Sequence, residues 1–304
     1  MSVSVVRLSD VEPERVSWLW PGRIPAGKLV TLDGDPSLGK STLALTFAAH
    51  ITTGKPWPDG SPCEHTGAVV LLSAEDGLAD TVRPRLDVAG ADVERVHAIE
   101  GIAHVDPDTG ARYLAPATLG NVDDLTQVIT DVGARLLIVD VLMSYLPSGT
   151  DSHKDQDIRR VLSRLSAMAE ATGCTVLALR HLNKAKGVDP LYRGGGSIGI
   201  VGAARAGMLV AADPDADTGQ ARVLASTKSN LGPAPGSLRY QLVDADHLGA
   251  ARVEWLGTDD RDARALLAER PDEDDDESGI VGILRRYLTE CGGSAPAADV
   301  LKHT

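Results

Sequence analysis

Gly34-Asp35-Pro36-Ser37-Leu38-Gly39-Lys40-Ser41 sets two glycines, a lysine and a hydroxyl at the spacing G-x-x-x-x-G-K-[ST], and Thr42 follows. An apolar run, Leu29 to Leu32, precedes these residues and a helix-compatible apolar stretch follows them. Strand, turn and helix is the context in which this spacing has a chemical meaning. Gly34 and Gly39 let successive backbone N–H groups curve around phosphate oxygens with no Cβ in the way. A helix beginning near Lys40 aims the positive end of its dipole at the same anion. Lys40 is expected to reach the β- and γ-phosphates, and the Ser41 hydroxyl to sit on Mg²⁺. The expected ligand is a nucleoside triphosphate, cradled by residues 34–42.

Other elements must bring acids and bases to that anion. Val69 to Leu72 is a continuous apolar run ending in Ser73-Ala74-Glu75-Asp76. Leu136-Leu137-Ile138-Val139 ends in Asp140, and Thr175 to Leu179 ends in Arg180-His181. Uninterrupted apolar runs of this kind read as strands buried on both faces. Between them, residues 81–89, 122–134 and 154–172 have helical character, the last with Ile158, Val161, Leu162, Leu165, Met168 and Ala169 at 3/4 spacing. Alternation of strand and helix predicts a mostly parallel sheet with helices on both faces. Ligands of such sheets gather at the carboxyl ends of the strands. There Asp140 is expected to hold Mg²⁺ with Ser41, and Glu75 to orient an attacking water, with Asp76 as its alternative. His181 reads either as a sensor of the γ-phosphate or as a packed strand-end histidine.

Composition bounds the rest. The chain has 304 residues, 43% of them apolar, enough for one large α/β core with a small appendage. Cys63, Cys174 and Cys291 show no metal spacing, and three cannot all pair with one another. No apolar run approaches membrane-spanning length, and the first residues lack the order of a secretory signal. The expectation is a soluble, cytoplasmic protein with no membrane partner. The net charge is −13, of which residues 257–277 carry −7 and residues 278–304 carry +1, leaving −7 on residues 1–256. Any nucleic-acid contact therefore has to be a local basic patch.

Residues 1–28 read as an irregular segment packing on the core, and residues 54–67 and 101–121 as loops. Apolar runs at 207–212, 222–227, 238–243 and 253–256 lack long helices between them and predict a partly antiparallel β extension. The expected organisation is one α/β domain over 1–256, an acidic linker over 257–278 and a partial helical segment over 279–304.

The ordered set GDPSLGKS, SAED, LLIVD, ALRHLNK, RGGGS and STKSNLG resembles the RecA-like P-loop ATPases related to the hexameric plasmid-replication helicase RepA, over about residues 20–245. The resemblance implies a three-layer RecA-like fold and a hexameric ring hydrolysing ATP with Mg²⁺. It implies that Glu75 is the catalytic glutamate, Asp140 the Walker B acid and His181 the strand-end sensor. Arg205 falls where these helicases carry an arginine finger for the neighbouring subunit, and Lys228 matches the lysine of their SK-x-N-x-G motif. Arg180 departs from the pattern, which has a second histidine there. Loops 144–154 and 183–197 correspond to those lining the ring's pore, the second with Lys184, Lys186, Tyr192 and Arg193. Single-stranded DNA is the implied partner. The activity expected is that of a DNA helicase or translocase of a plasmid, phage or mobile-element replication system, its C-terminal segment docking a replication protein. The alternative is a nucleotide-gated regulatory or DNA-binding protein without motor activity.

Overall fold

The apolar runs become the strands of a nine-stranded sheet, and their burial explains their composition. The computed structural model describes residues 5–107, 109–152, 154–182, 195–216, 219–245 and 249–268. In chain order the sheet strands are β1 (Leu29–Gly34), β2 (Ala68–Ser73), β3 (Val96–Ala98), β4 (Ala134–Asp140), β5 (Thr175–His181), β6 (Ala206–Ala212), β7 (Ala221–Ser229), β8 (Ser237–Ala245) and β9 (Ala250–Asp259). Across the sheet they run β9-β8-β7-β6-β1-β5-β4-β2-β3. The six from β6 to β3 are parallel, and β7, β8 and β9 extend the sheet as an antiparallel meander. A chain that is parallel in its centre and antiparallel at one margin matches the expected mostly parallel sheet with its β extension.

Helices cover both faces. On one, α1 (Lys40–Thr53) and α2 (Arg83–Ala89) share a core with Leu32, Val69, Ile138, Leu179 and Met208. On the other, α3 (Val122–Val132), α4 (Asp155–Thr172) and α5 (Ile198–Ala203) cover Val70, Leu137, Val176 and Ala178. The amphipathic α3 and α4 bury single stripes, whereas α1 buries eleven of its fourteen residues. The sheet takes one side of α1, and β9 and α2 close around it.

An aromatic cluster fixes α1 to the N-terminal segment. Trp18–Trp20 and Ile24–Pro25 form a short antiparallel ribbon, where composition alone predicts irregular chain. Trp20 stacks on Trp57 at 4.5 Å, and Phe47 of α1 meets both rings edge-on at 5.4 and 6.0 Å. The Trp57 Nε1–H donates to the Leu19 carbonyl at 2.8 Å, and the Trp20 Nε1–H donates to Asp59 at 2.7 Å. The expected loop over 54–67 thus holds two anchors in otherwise irregular chain.

Two further expectations change. The segment 101–121 is not loop throughout: Ile102–Val105 pairs antiparallel with Arg112–Ala115. The Asp106 carboxylate takes the Thr109 N–H at 2.7 Å, and Gly110 closes the turn at φ +70°. Val105, Tyr113 and Leu114 stay exposed, so this hairpin has no buried alternation to betray it. Regular structure also continues beyond residue 256, because β9 runs to Asp259 and α6 (Ala263–Ala268) buries Ala263 and Leu266 against Leu209 and Val223. A compact unit extends over Met1–Ala268. The acidic run 272–277 and the terminal segment 279–304 lie outside the described residues.

Trp57→Ala removes a buried ring from between Trp20, His50 and Phe47 together with its hydrogen bond. Loss of about 3–5 kcal/mol is expected, read as a lowered urea midpoint with an unchanged m-value.

Candidate functional site

The strand β1 delivers the chain to the phosphate loop between two parallel neighbours, β6 and β5. At Gly34 a Cβ would lie 2.7 Å from the Val210 carbonyl, so only glycine allows this approach to β6. Gly39 sits at φ +77° and a Cβ there would meet Leu242 at 2.6 Å, so β8 closes on the loop from above. Gly39 also precedes the first residue of α1, and no side chain caps its N–H groups. These donors, with the helix dipole, point to an anion.

The Lys40 side chain is buried, and its three N–H donors have three acceptors. They are the Gly34 carbonyl at 2.9 Å, the Asp35 carbonyl at 2.7 Å and His181 Nδ1 at 3.3 Å. An ammonium only donates, so the His181 proton is on Nε2. Burial lowers the Lys40 pKa, while Asp140, Asp33 and Glu75 oppose that shift. Burial and then the Lys40 charge hold His181 below its ordinary value, so its ring is neutral at pH 7.

Facing Lys40 across a cavity of about 630 Å³ are Glu75, Asp76 and Asp140. Asp140 and Ser73 are register partners on β4 and β2, which brings all three acids to one sheet edge. Burial raises the Asp140 pKa, the Ser41 hydroxyl lowers it by hydrogen bonding, and Asp76 and Glu75 raise it further. Asp76 is tied to Arg85 at 2.5 Å. Glu75 is exposed and has no ion pair among the described residues, which leaves its carboxylate at liberty in the cavity.

Among the described residues no group of three or more His, Cys, Asp or Glu forms a metal cage. The hard-oxygen pair Ser41 and Asp140 instead fits Mg²⁺, which takes one or two protein ligands and completes its shell from phosphate and water. Three carboxylates facing one ammonium give that cation an electrostatic reason to be there.

Most of the loop residues expected at the site line it: Pro36, Ser37, Gly39, Lys40, Ser41 and Thr42, with Asp35 and Gly34 contributing carbonyls to Lys40. Leu38 differs, since it turns inward and packs against the core. Arg205 and Lys228 lie elsewhere. Ala206 pairs with Val30, so Arg205 stands beside the start of β1, while the phosphate loop leaves its end. Five residues of strand, about 17 Å at ~3.3 Å per residue, separate the two. Lys228 is opposite Gly207 at the same far edge and donates to the Val201 carbonyl at 2.5 Å.

Several cavity residues carried no signal in the sequence. Leu242, Ala250 and Ala251 come from the β8–β9 hairpin, two hundred residues downstream of the loop they cover. Arg85 was recognisable only as a helical base after SAED, and its link to Asp76 depends on the turn between them. Of the two expected pore loops, the first begins as a 3₁₀ turn, Leu142–Tyr145, with Tyr145 buried. Lys184, Lys186, Tyr192 and Arg193 of the second lie outside the described residues.

Comparison with known proteins gives three results. A family profile described as "AAA domain" matches residues 1–187. Among curated proteins the chain is similar to DNA repair protein RadA of Synechocystis sp., with 26% identity over 54% of this chain and 30% of that protein. It is also similar to Protein RecA of Arthrospira platensis, with 25% identity over 61% of this chain and 48% of that one. The chain thus spans half or less of the length of these relatives. A solved structure described as an ATPase domain matches 74% of this chain and 84% of that one, with a TM-score of 0.54 and 14% identity. The fold is therefore the RecA-like three-layer α/β fold. Among the described residues no helix is long and apolar enough to cross a membrane.

The raised pKa of Asp140 has a measurable consequence. A cation binds the ionised carboxylate, so its binding weakens as pH falls through that raised value. In calorimetric Mg²⁺ titrations with a non-hydrolysable triphosphate, affinity is expected to fall on acidification from pH 7.5. Asp140→Asn should bind weakly throughout and flatten the profile.

Proposed function

The chain belongs to the AAA domain family, and on that footing we propose that it is a RecA-like ATPase which hydrolyses ATP as a ring with DNA as its partner. The observation that carries this reading is the buried Lys40 ammonium facing Glu75, Asp76 and Asp140 at the start of α1. Phosphoryl transfer asks little of a protein beyond positioning and charge. Lys40 exchanges one of its protein acceptors for a phosphate oxygen as ATP enters. Ser41 and Asp140 would hold Mg²⁺, which would supply positive charge to the phosphates. Glu75, free where Asp76 is occupied by Arg85, orients the attacking water and takes its proton. The neutral His181, hydrogen-bonded to Lys40, registers the terminal phosphate.

In this reading a ring supplies a further cation to the site, because the arginine that lines the cavity among the described residues, Arg85, is held by Asp76. Charge developing on three phosphoryl oxygens favours a further cation, and an arginine finger is worth about 10³–10⁵ in rate. Arg205 and Lys228 stand together at the opposite sheet edge, and in this reading each serves a neighbouring copy, Lys228 by leaving the Val201 carbonyl. The names of the relatives, a DNA repair protein and RecA, support DNA as the partner. In this reading, which the resemblance to RepA supports, the chain works as a hexameric helicase or translocase of a plasmid, phage or mobile-element replication system. The segment 279–304 is assigned to docking a replication protein. DNA-stimulated ATP turnover is expected. Turnover indifferent to DNA would favour a nucleotide-gated regulator instead.

Lys40→Ala is expected to abolish hydrolysis and to weaken ATP binding. Glu75→Gln should leave binding within a few-fold of wild type while turnover collapses, both read by equilibrium binding and phosphate release. If Asp76→Asn does this and Glu75→Gln does not, the roles of the two acids are exchanged.

The shared site has its own test. Glu75→Gln and Arg205→Ala should each be nearly inactive alone, yet mixing them pairs some intact Glu75 with some intact Arg205. Partial return of activity is expected. Its absence at every ratio, in subunits shown to exchange, would leave Arg205 as a surface residue.

A further inference from the structure

Directly behind the Lys40 acceptors lies a buried ion pair that the catalytic reading does not use. Asp33 is the residue before Gly34, and Arg180 the residue before His181; the parallel register sets Asp33 opposite Arg180 and Gly34 opposite His181. Arg180 donates Nε–H to one Asp33 oxygen at 2.7 Å and Nη2–H to the other at 2.7 Å. Both side chains are almost wholly buried, at 1% and 3% exposure. The Thr31 hydroxyl approaches the same carboxylate at 3.5 Å.

As a stabilising device this pair is poorly finished. Arg180 Nη1 is buried and has no hydrogen-bond partner among the described residues. Buried ion pairs with unsatisfied groups are commonly matched or bettered by apolar residues of similar volume. What a planar, two-point fork does supply is geometry, because it resists sliding of one strand end past the other. The next residue on each strand is an acceptor for the Lys40 ammonium: the Gly34 carbonyl on β1 and the His181 ring on β5. The Gly34 carbonyl also receives the Leu182 N–H at 3.3 Å, a second tie between the same strand ends.

We infer that Asp33 and Arg180 are a positioning pair, which holds β1 and β5 at the relative height that lets Gly34 and His181 grip Lys40 together. This deepens the ATPase reading and rests on it for its catalytic consequence. Its geometric content stands on the contact between Lys40 and His181. A slip between the strands parts Lys40 from His181 while leaving the phosphate loop intact. The Arg180 position, at which the resembled helicases carry a histidine, thereby has a role distinct from sensing.

Arg180→Lys separates the alternatives, because it keeps the charge opposite Asp33 and removes the fork. Two measurements are made on the full chain: the His181 ring titration by NMR, and steady-state ATP turnover. If the pair positions Lys40, the His181 pKa rises toward the ordinary ~6.5 as the Lys40 charge moves off. Turnover then falls by about 10- to 100-fold, with little change in KM. A His181 titration unmoved from wild type overturns the inference, whatever happens to turnover, since loss of activity alone would report a merely structural residue. Should Arg180→Lys fail to fold, the double variant Asp33→Leu, Arg180→Met removes both charges at once and is read the same way. A wild-type chain that hydrolyses no ATP would sink the ATPase reading and leave the titration test standing.

Discussion

Everything at the candidate site hangs on one buried ammonium. Lys40 is the first residue of a helix packed on nearly every side, so its backbone cannot retreat to let the charge reach solvent. The charge must be satisfied where it is, and two carbonyls and one imidazole do so. Those acceptors come from the end of β1, from the loop it leads into and from the end of β5. The heights of two strands and the start of one helix are thereby tied to a single atom. The acids that face Lys40 meet the complementary constraint, since burial opposes the ionisation of Asp140 and its neighbouring carboxylates add to the penalty. A site with this balance is poised for a ligand carrying both anionic oxygens and a divalent cation.

The parallel sheet converts that local arrangement into a polarity of the whole domain. Strand ends that carry Gly34, Ser73, Asp140 and His181 open on one edge. The turns that carry Arg205 and Lys228 open on the other. The phosphate site thus lies on one side of the domain and these two cations on the opposite side, where the Val201 carbonyl holds Lys228. The antiparallel extension has a different task. Its β8–β9 hairpin closes on Gly39 through Leu242, and β9 packs on α1 and α2. Together with the stacked Trp20 and Trp57, the first of which Trp255 of β9 meets edge-on at 6.2 Å, it leaves the phosphate-binding helix little room to shift.

The aromatic cluster also explains an imbalance in composition. Aromatic residues are only 3% of the chain, yet three of the four tryptophans and the single phenylalanine converge on this one place. They seat α1, while the rest of the described core is mostly leucine, valine, isoleucine and alanine, with Tyr145, Tyr240, Met168, Met208, Cys63 and Cys174 among them.

Local pattern was enough to find the phosphate loop, the parallel strands and the acids at their tips. A glycine turn needs glycine at fixed positions, and a strand buried on both faces needs an unbroken apolar run. The β extension was legible for the same reason, and the hairpin at 102–115 was not, because its side chains stay in water and leave no pattern. Contacts between distant segments could not be read. Nothing in the neighbourhood of Asp76 announces Arg85 as its partner, and nothing near Gly39 announces Leu242. Arg180 shows the difference most plainly. As a letter before His181 it reads as a departure from a sensor motif. Only the register of β5 against β1 sets it opposite Asp33, in a dry interior where a guanidinium has to find a carboxylate. Pairing of that kind belongs to the tertiary structure, since it is decided by which strands lie side by side.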